Sequence, residues 1–228
     1  MKGTILYEDE TIIVCEKPAG VPAQSDKTFS EDMVSGLKNY LTEQKKEPYI
    51  GLVHRLDRPV EGVMVFAKTP FAAKELSKQA ADGRMKKYYL AVVCGKPEKN
   101  SGEFVDYLIR DGRTNKSSVV KKEIAGAKRA ELRYQLYDTV NLDGETLSLV
   151  KIQLITGRHH QIRVQFANRG LPLFGDTKYN TAFAEKEGWF QIGLCAYKLE
   201  FFHPESKKEM DFFVEAKNPI FTKIQEIF

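Results

Sequence analysis

This chain of 228 residues lacks several common signatures, and each absence closes off a class of function. Its three cysteines, Cys15, Cys94 and Cys195, lie far apart, with no CxxC and no Cys/His ligand spacing. Neither a disulfide framework nor a metal site is expected. No apolar run is long enough to span a bilayer, and Met1-Lys2-Gly3-Thr4 opens a mixed segment. A membrane partner is therefore not expected, and the reducing cytoplasm is the expected address. There is no glycine-rich phosphate loop and no dinucleotide fingerprint, so nothing calls for a nucleotide cofactor. No linker, repeat or low-complexity tract divides the chain. One domain over residues 1–228 is expected, long enough to bury a core.

A small excess of positive charge is present. The net charge is +4 and the pI about 8.8. This suits a polyanionic partner, and equally a solvated surface with some extra lysine.

Alternation predicts strands at Ile5-Leu6-Tyr7, Thr11 to Glu16, Val63 to Lys68, Tyr88 to Cys94, Glu103 to Ile109, Glu131 to Asp138 and Leu147 to Ile155. Late strands are predicted at Gln191 to Tyr197, Leu199 to His203 and Met210 to Val214. Ser30 is the predicted cap of a helix carrying Val34, Leu37 and Leu41. Thr69-Pro70 opens another that Gly83 ends, Thr156-Gly157 a third ended by Gly170, and Pro219 a last short one. Hairpin spacings dominate, so the expected class is α+β with a mainly antiparallel sheet.

Four segments carry chemistry. In His54-Arg55-Leu56-Asp57-Arg58, beside Gly62 and an apolar run, one carboxylate stands among two arginines and a histidine. Cations nearby should keep Asp57 ionised, as nucleophile, base or electrostatic partner; a plain ion pair with Arg55 or Arg58 is the structural alternative. A kinase catalytic loop is excluded, because Leu56 interrupts H-R-D and no DFG follows. In Thr156-Gly157-Arg158-His159-His160, a strand runs into a helix at an arginine, which suits an anion. The adjacent histidines diverge rather than converge on a metal, so each is expected to make a polar contact. In Lys86-Lys87-Tyr88-Tyr89, alternation sends the two tyrosines to opposite faces, one of them free to stack on a base. The stretch from Arg110 to Arg129, with Lys116, Lys121, Lys122 and Lys128, reads as an exposed basic loop or hairpin arm able to grip phosphates.

Taken in order, the segments resemble the RluA-type family of RNA pseudouridine synthases. Lys17-Pro18-Ala19-Gly20 is similar to its opening turn, and His54-Arg55-Leu56-Asp57 with Gly62 and Ala67-Lys68 to its active-site signature. Lys87 to Val93 with Gly95 is similar to its tyrosine strand, and Ala127 to Tyr134 to the strand after its variable arm. Thr156-Gly157-Arg158, His160-Gln161-Ile162-Arg163, Gly175-Asp176 and Tyr179 are similar to its late signature. Two places depart: Val60-Glu61 replaces the usual Thr-Ser, and His159 replaces a threonine.

The resemblance implies a pseudouridine synthase-like fold, a mixed, mainly antiparallel sheet with flanking helices and a central active-site cleft. It also implies a stand-alone catalytic domain without the separate N-terminal RNA-binding domain of many members. Asp57 is then the catalytic carboxylate, acting through a covalent adduct or a glycal-like route. Tyr89 packs on the base, Arg158 pairs with Asp57, and Arg55 helps to flip the uridine. No cofactor and no metal is implied. The expected partner is structured RNA, either ribosomal or transfer RNA with ribosomal RNA slightly favoured, bound by a monomer with no obligate protein partner. Two alternatives are an RNA-binding protein that has lost turnover, motivated by Val60-Glu61, and a carboxylate glycosidase. The latter needs a paired acid, and the sequence places none clearly beside Asp57.

Overall fold

The computed structural model describes residues 3–25, 31–186, 188 and 190–225. In chain order the elements are β1 (Thr4–Glu8), β2 (Ile12–Lys17), α1 (Met33–Glu43), β3 (Gly51–Leu52), β4 (Glu61–Ala67), α2 (Pro70–Asp82), β5 (Lys86–Cys94), β6 (Ser101–Asp111), β7 (Lys116–Val120), β8 (Lys128–Leu142), β9 (Glu145–Leu154), α3 (Gln161–Ala167), α4 (Thr181–Ala184), β10 (Leu194–Phe202), β11 (Glu209–Phe213) and α5 (Pro219–Gln225). The class is α+β, as the hairpin spacings predict. The chain divides into two compact units, Met1–Lys87 with Ala196–Ala216, and Tyr88–Cys195 with Lys217–Phe228.

In the first unit β2 pairs antiparallel with β1 and β4, β3 with β4, and β10 with β11. Every residue of β4 is buried, which is why residues 63–67 read as an unbroken apolar run rather than an alternating one. Ala72 and Leu76 of α2 pack on Ile12, Val14, Val63, Val65, Leu199 and Phe201. The ends of α2 follow its sequence signals. Thr69 Oγ1 accepts from Ala72 N at 3.1 Å, Pro70 occupies the first turn, and Gly83 closes the helix at φ 81°. The cap of α1 is Asp32, whose carboxylate accepts from Ser35 N at 2.8 Å. The predicted cap Ser30 lies outside the described residues.

In the second unit β6 pairs antiparallel with β7 and β8, and β8 with β9. The β8–β9 turn places Asp143 and Gly144 at φ 52° and 82°, the two positive values that a two-residue hairpin turn requires. Phe166 of α3 meets Phe104 and Tyr134 edge-on, with centroids 5.0 and 5.9 Å apart. The basic stretch contains strand β7, so part of it is hairpin rather than loop.

Two local expectations need correction, and two short elements went unpredicted. The segment 191–203 holds one strand, β10, rather than two. The helix predicted from Thr156-Gly157 begins only at Gln161, and β3 and α4 are too short to leave a periodic signal. Among the described residues, no helix is long and apolar enough to cross a membrane.

Candidate active site

Asp57 sits half-buried in a turn just before β4, closed by Val60 N donating to Asp57 O at 3.0 Å. Gly62 lets β4 enter close to its neighbour. Its φ is 137°, and a Cβ there would fall 2.4 Å from Ala196 O. The glycine of the motif is thus a steric requirement of the strand that carries the loop.

The surroundings of Asp57 differ from the sequence-based expectation in one respect. His54 is not one of its cations. Its Nε2 accepts from Val65 N at 3.1 Å, just beyond the two residues of β4 that β3 pairs. Burial, with the Lys87 charge nearby, pushes its imidazole down to about 3, so it is neutral. With Nε2 accepting, the proton resides on Nδ1, which is buried and has no hydrogen-bond partner among the described residues. Arg55 is exposed, and Arg58 directs Nε to Gly20 O at 2.9 Å.

The cation that sequence reasoning did not assign is Lys17, at the end of β2 and 0 % exposed. Its Nζ donates to Val21 O at 2.7 Å, Pro18 O at 2.9 Å and Arg58 O at 3.3 Å. Burial pulls its ammonium down to about 7, opposed by the charges of Asp57 and Glu61. Glu61, at the head of β4, is itself 3 % exposed. A second acid therefore does act on the same ammonium as Asp57, and the sequence alone does not place it there. Lys17 appears in the sequence only as the first letter of a turn motif.

The other two expected site residues belong to the second unit. Tyr89 is the buried member of the tyrosine pair in β5, with Tyr88 half-buried. Arg158 is exposed in the turn before α3, where its Nε donates to Arg129 O at 2.8 Å. That turn explains the late start of α3. Thr156 Oγ1 and Arg158 N both donate to Gln161 Oε1, at 2.8 and 3.0 Å, while Gln161 Nε2 donates to Glu131 O. His160 then takes φ 54°, a left-handed conformation outside a helix.

The two histidines make separate polar contacts, as expected. His159 Nδ1 bonds Ser117 Oγ at 2.9 Å, and His160 Nδ1 bonds the Tyr179 hydroxyl at 2.8 Å. Burial pushes His160 down to about 2, so it too is neutral. The Tyr179 hydroxyl also accepts from Ser117 N, and Lys178 Nζ donates to Asn115 O. The β6–β7 hairpin is thereby fastened to the turn that bears Arg158. Arg163 and Asp176, quoted from the late signature without a role, form a buried two-point ion pair at 2.8 and 2.7 Å. Asp176 also accepts from Lys178 N, holding the segment that presents Tyr179.

Residues 11–168 match the family described as RNA pseudouridylate synthase. The chain is 33 % identical over 221 residues to an uncharacterized RNA pseudouridine synthase of Aquifex aeolicus, covering 92 % of this chain and 68 % of that protein. It is 34 % identical to ribosomal large subunit pseudouridine synthase D of Neisseria meningitidis serogroup B, covering 95 % of this chain and 59 % of that one. The human RNA pseudouridylate synthase domain containing 4 structure superposes with a TM-score of 0.79, covering 98 % of this chain and 92 % of that one. At 21 % identity, that likeness establishes the fold alone. Over most of its length, then, the chain belongs to the RluA-type family of RNA pseudouridine synthases, which are isomerases.

Proposed function

We propose that this protein isomerises specific uridines of structured RNA to pseudouridine, with Asp57 as the catalytic carboxylate. The observation that carries the reading is the Asp57 turn. A half-buried acid stands at a strand entry held by Lys17, Arg58 and Gly62, in a chain whose family performs this chemistry. The target uridine leaves its stack, as chemistry on a base requires. The bond from N1 to the ribose breaks with help from Asp57, the uracil turns, and C5 bonds to the ribose in its place. C5 gives up its proton and N1 gains one, so electrons balance without a cofactor. Tyr89 packs on the base, Arg158 pairs with Asp57 and orients it, and Arg55 helps the uridine out of its stack.

The basic residues from Arg110 to Arg129 hold the RNA backbone. Ribosomal RNA is favoured over transfer RNA, which the name of the Neisseria relative supports. The protein acts as one catalytic domain over residues 1–228, as a monomer in the cytoplasm. The second reading, a silent RNA-binding protein, draws on buried Glu61 at the place where the family pattern is left.

One comparison decides between them. Pseudouridines are mapped in cellular RNA with and without the protein, and again with Asp57→Asn in its place. The expected result is one or a few sites present only with the wild-type chain, and RNA binding retained in the variant. Sites that persist with Asp57→Asn sink the catalytic assignment, and no site dependent on the wild type favours the silent binder.

A further inference from the structure

Strand β7 shows a different face to each side. Lys116 and Ser118 are exposed, and Ser117 between them is 6 % exposed. That is the alternation which sends neighbouring side chains to opposite sides of a strand. The outward side carries charge toward RNA phosphates. The inward side is fastened at Ser117. Its backbone N donates to the Tyr179 hydroxyl at 2.7 Å, and its Oγ bonds His159 Nδ1 at 2.9 Å. The Tyr179 hydroxyl also bonds His160 Nδ1 at 2.8 Å, and the rings of His159 and His160 stack with centroids 3.7 Å apart. Ser117 is thus tied to both residues that follow Arg158, to one directly and to the other through Tyr179. The packing beneath is apolar, with Val119 and Tyr179 against Leu108, Ala130 and Val164. Arg158 is fixed by the same stretch of chain. Its Nε donates to Arg129 O and its backbone N to Gln161 Oε1. The basic arm therefore meets this turn twice, at Ser117 through His159 and at Arg129 through Arg158 itself.

We propose that His159 is a positioning residue that couples the grip of the β6–β7 hairpin on RNA to the placement of Arg158. The proposal rests on the readings of Arg158 as the partner of Asp57 and of the arm as an RNA-backbone contact, and adds the residue that joins them. RNA held through Lys116 on the outer side of β7 sets Ser117 on the inner side. The Ser117–His159 bond then orients the turn that presents Arg158. RNA that engages the hairpin raises kcat as well as affinity, because the contact is felt at the reacting centre. His159 is one of the two places at which the chain departs from the family pattern, so the signature itself does not supply this bond.

The first test needs no RNA. Solvent exchange of the Arg158 Nε–H is followed by NMR in the wild type, in His159→Ala and in His159→Asn, whose side-chain amide places a polar atom where Nδ1 stands. Losing the bond to Ser117 loosens the turn, so exchange should quicken about fivefold in His159→Ala and return to within about twofold of the wild type in His159→Asn. Exchange unaltered in His159→Ala overturns the proposal, whatever the enzyme does.

The second test measures turnover on the RNA that mapping identifies. His159→Ala is expected to lower kcat about tenfold with RNA affinity changed by less than about threefold, and His159→Asn to keep kcat within about threefold of the wild type. Lys116→Gln supplies the discriminating comparison. With His159 in place it lowers kcat and affinity together. In the His159→Ala background it lowers affinity alone, because the pull no longer reaches Arg158. Equal losses of kcat from Lys116→Gln in both backgrounds overturn the coupling and leave His159 a structural brace. If His159→Ala does not fold, Ser117→Ala replaces it in both tests, since it removes the same bond while Ser117 N stays on Tyr179. A wild type that converts no uridine while Arg158 exchange still answers to His159→Ala removes the functional reading and leaves the link between hairpin and turn standing.

Discussion

At Gly62 the smallest side chain is required by its neighbour. A methyl group there meets Ala196 atoms at 2.4 to 2.6 Å, and φ is in the region that L-residues avoid. Gly62→Ala is expected to destabilise the fold by at least about 2 kcal/mol, read as a lower urea midpoint at unchanged slope. A variant as stable as the wild type would show that β4 enters differently. His54 illustrates the opposite problem of reading residues singly. Its place in HRLD suggests a cation for Asp57, yet it serves as an acceptor for a strand N–H and remains neutral. No linear pattern shows that β3 ends too early to satisfy Val65. Arg163 and Asp176 were legible as a signature but not as an ion pair, because thirteen residues of sequence hide a bond of 2.7 Å.

At the scale of elements, helix ends follow local rules and segment ties do not. Thr69→Ala should cost about 1 kcal/mol, because only the cap at Ala72 N is removed. Helix α3 begins late because Gln161 commits its side chain to the preceding turn, a bond that no helix propensity records. The β6–β7 hairpin is tied down through Ser117. Ser117→Ala removes the His159 bond but leaves Ser117 N on Tyr179. One hydrogen bond is worth about 1 kcal/mol, so amide exchange in β7 should quicken about five- to tenfold. Exchange that is unchanged would show the hairpin to be held by strand pairing alone. Neutralising Lys121, Lys122, Lys128 and Arg129 should weaken RNA binding and flatten its dependence on salt. The log–log slope should drop by about 0.7 to 0.9 for each phosphate that is no longer neutralised. Binding insensitive to both salt and these changes removes the arm from RNA recognition.

For the whole molecule, the buried polar groups make stability depend on pH. His54 and His160 are held at about 3 and about 2 when folded, against an ordinary 6.5. The unfolded chain takes up their protons first. Their contribution is complete above pH 6.5 and declines as pH falls, by up to about 1.4 kcal/mol per pH unit for each histidine. Asp9 continues the trend at lower pH. Hydrogen bonds from Thr11 N and Ile12 N, together with His203, outweigh the opposing effect of burial and hold it at about 2. Its contribution is present above 3.8 and is lost as pH drops through about 2. Urea midpoints should therefore fall steadily from about pH 6.5 to about pH 4, and His160→Gln should make that fall shallower. A flat profile would mean that these histidines are charged in the folded protein.

The sequence alone determines the class, most strand positions, the caps of α2, the family and the identity of the candidate acid. Those properties depend on side-chain periodicity, turn chemistry and motif order, all of which are local or simply ordered along the chain. The tertiary structure alone decides that His54 is neutral, that Glu61 is buried, and that Lys17 surrenders its three donors to carbonyls, one of them Arg58 O. Each of these depends on burial and on partners up to 41 residues away in sequence, and desolvation has no signature in a string of letters.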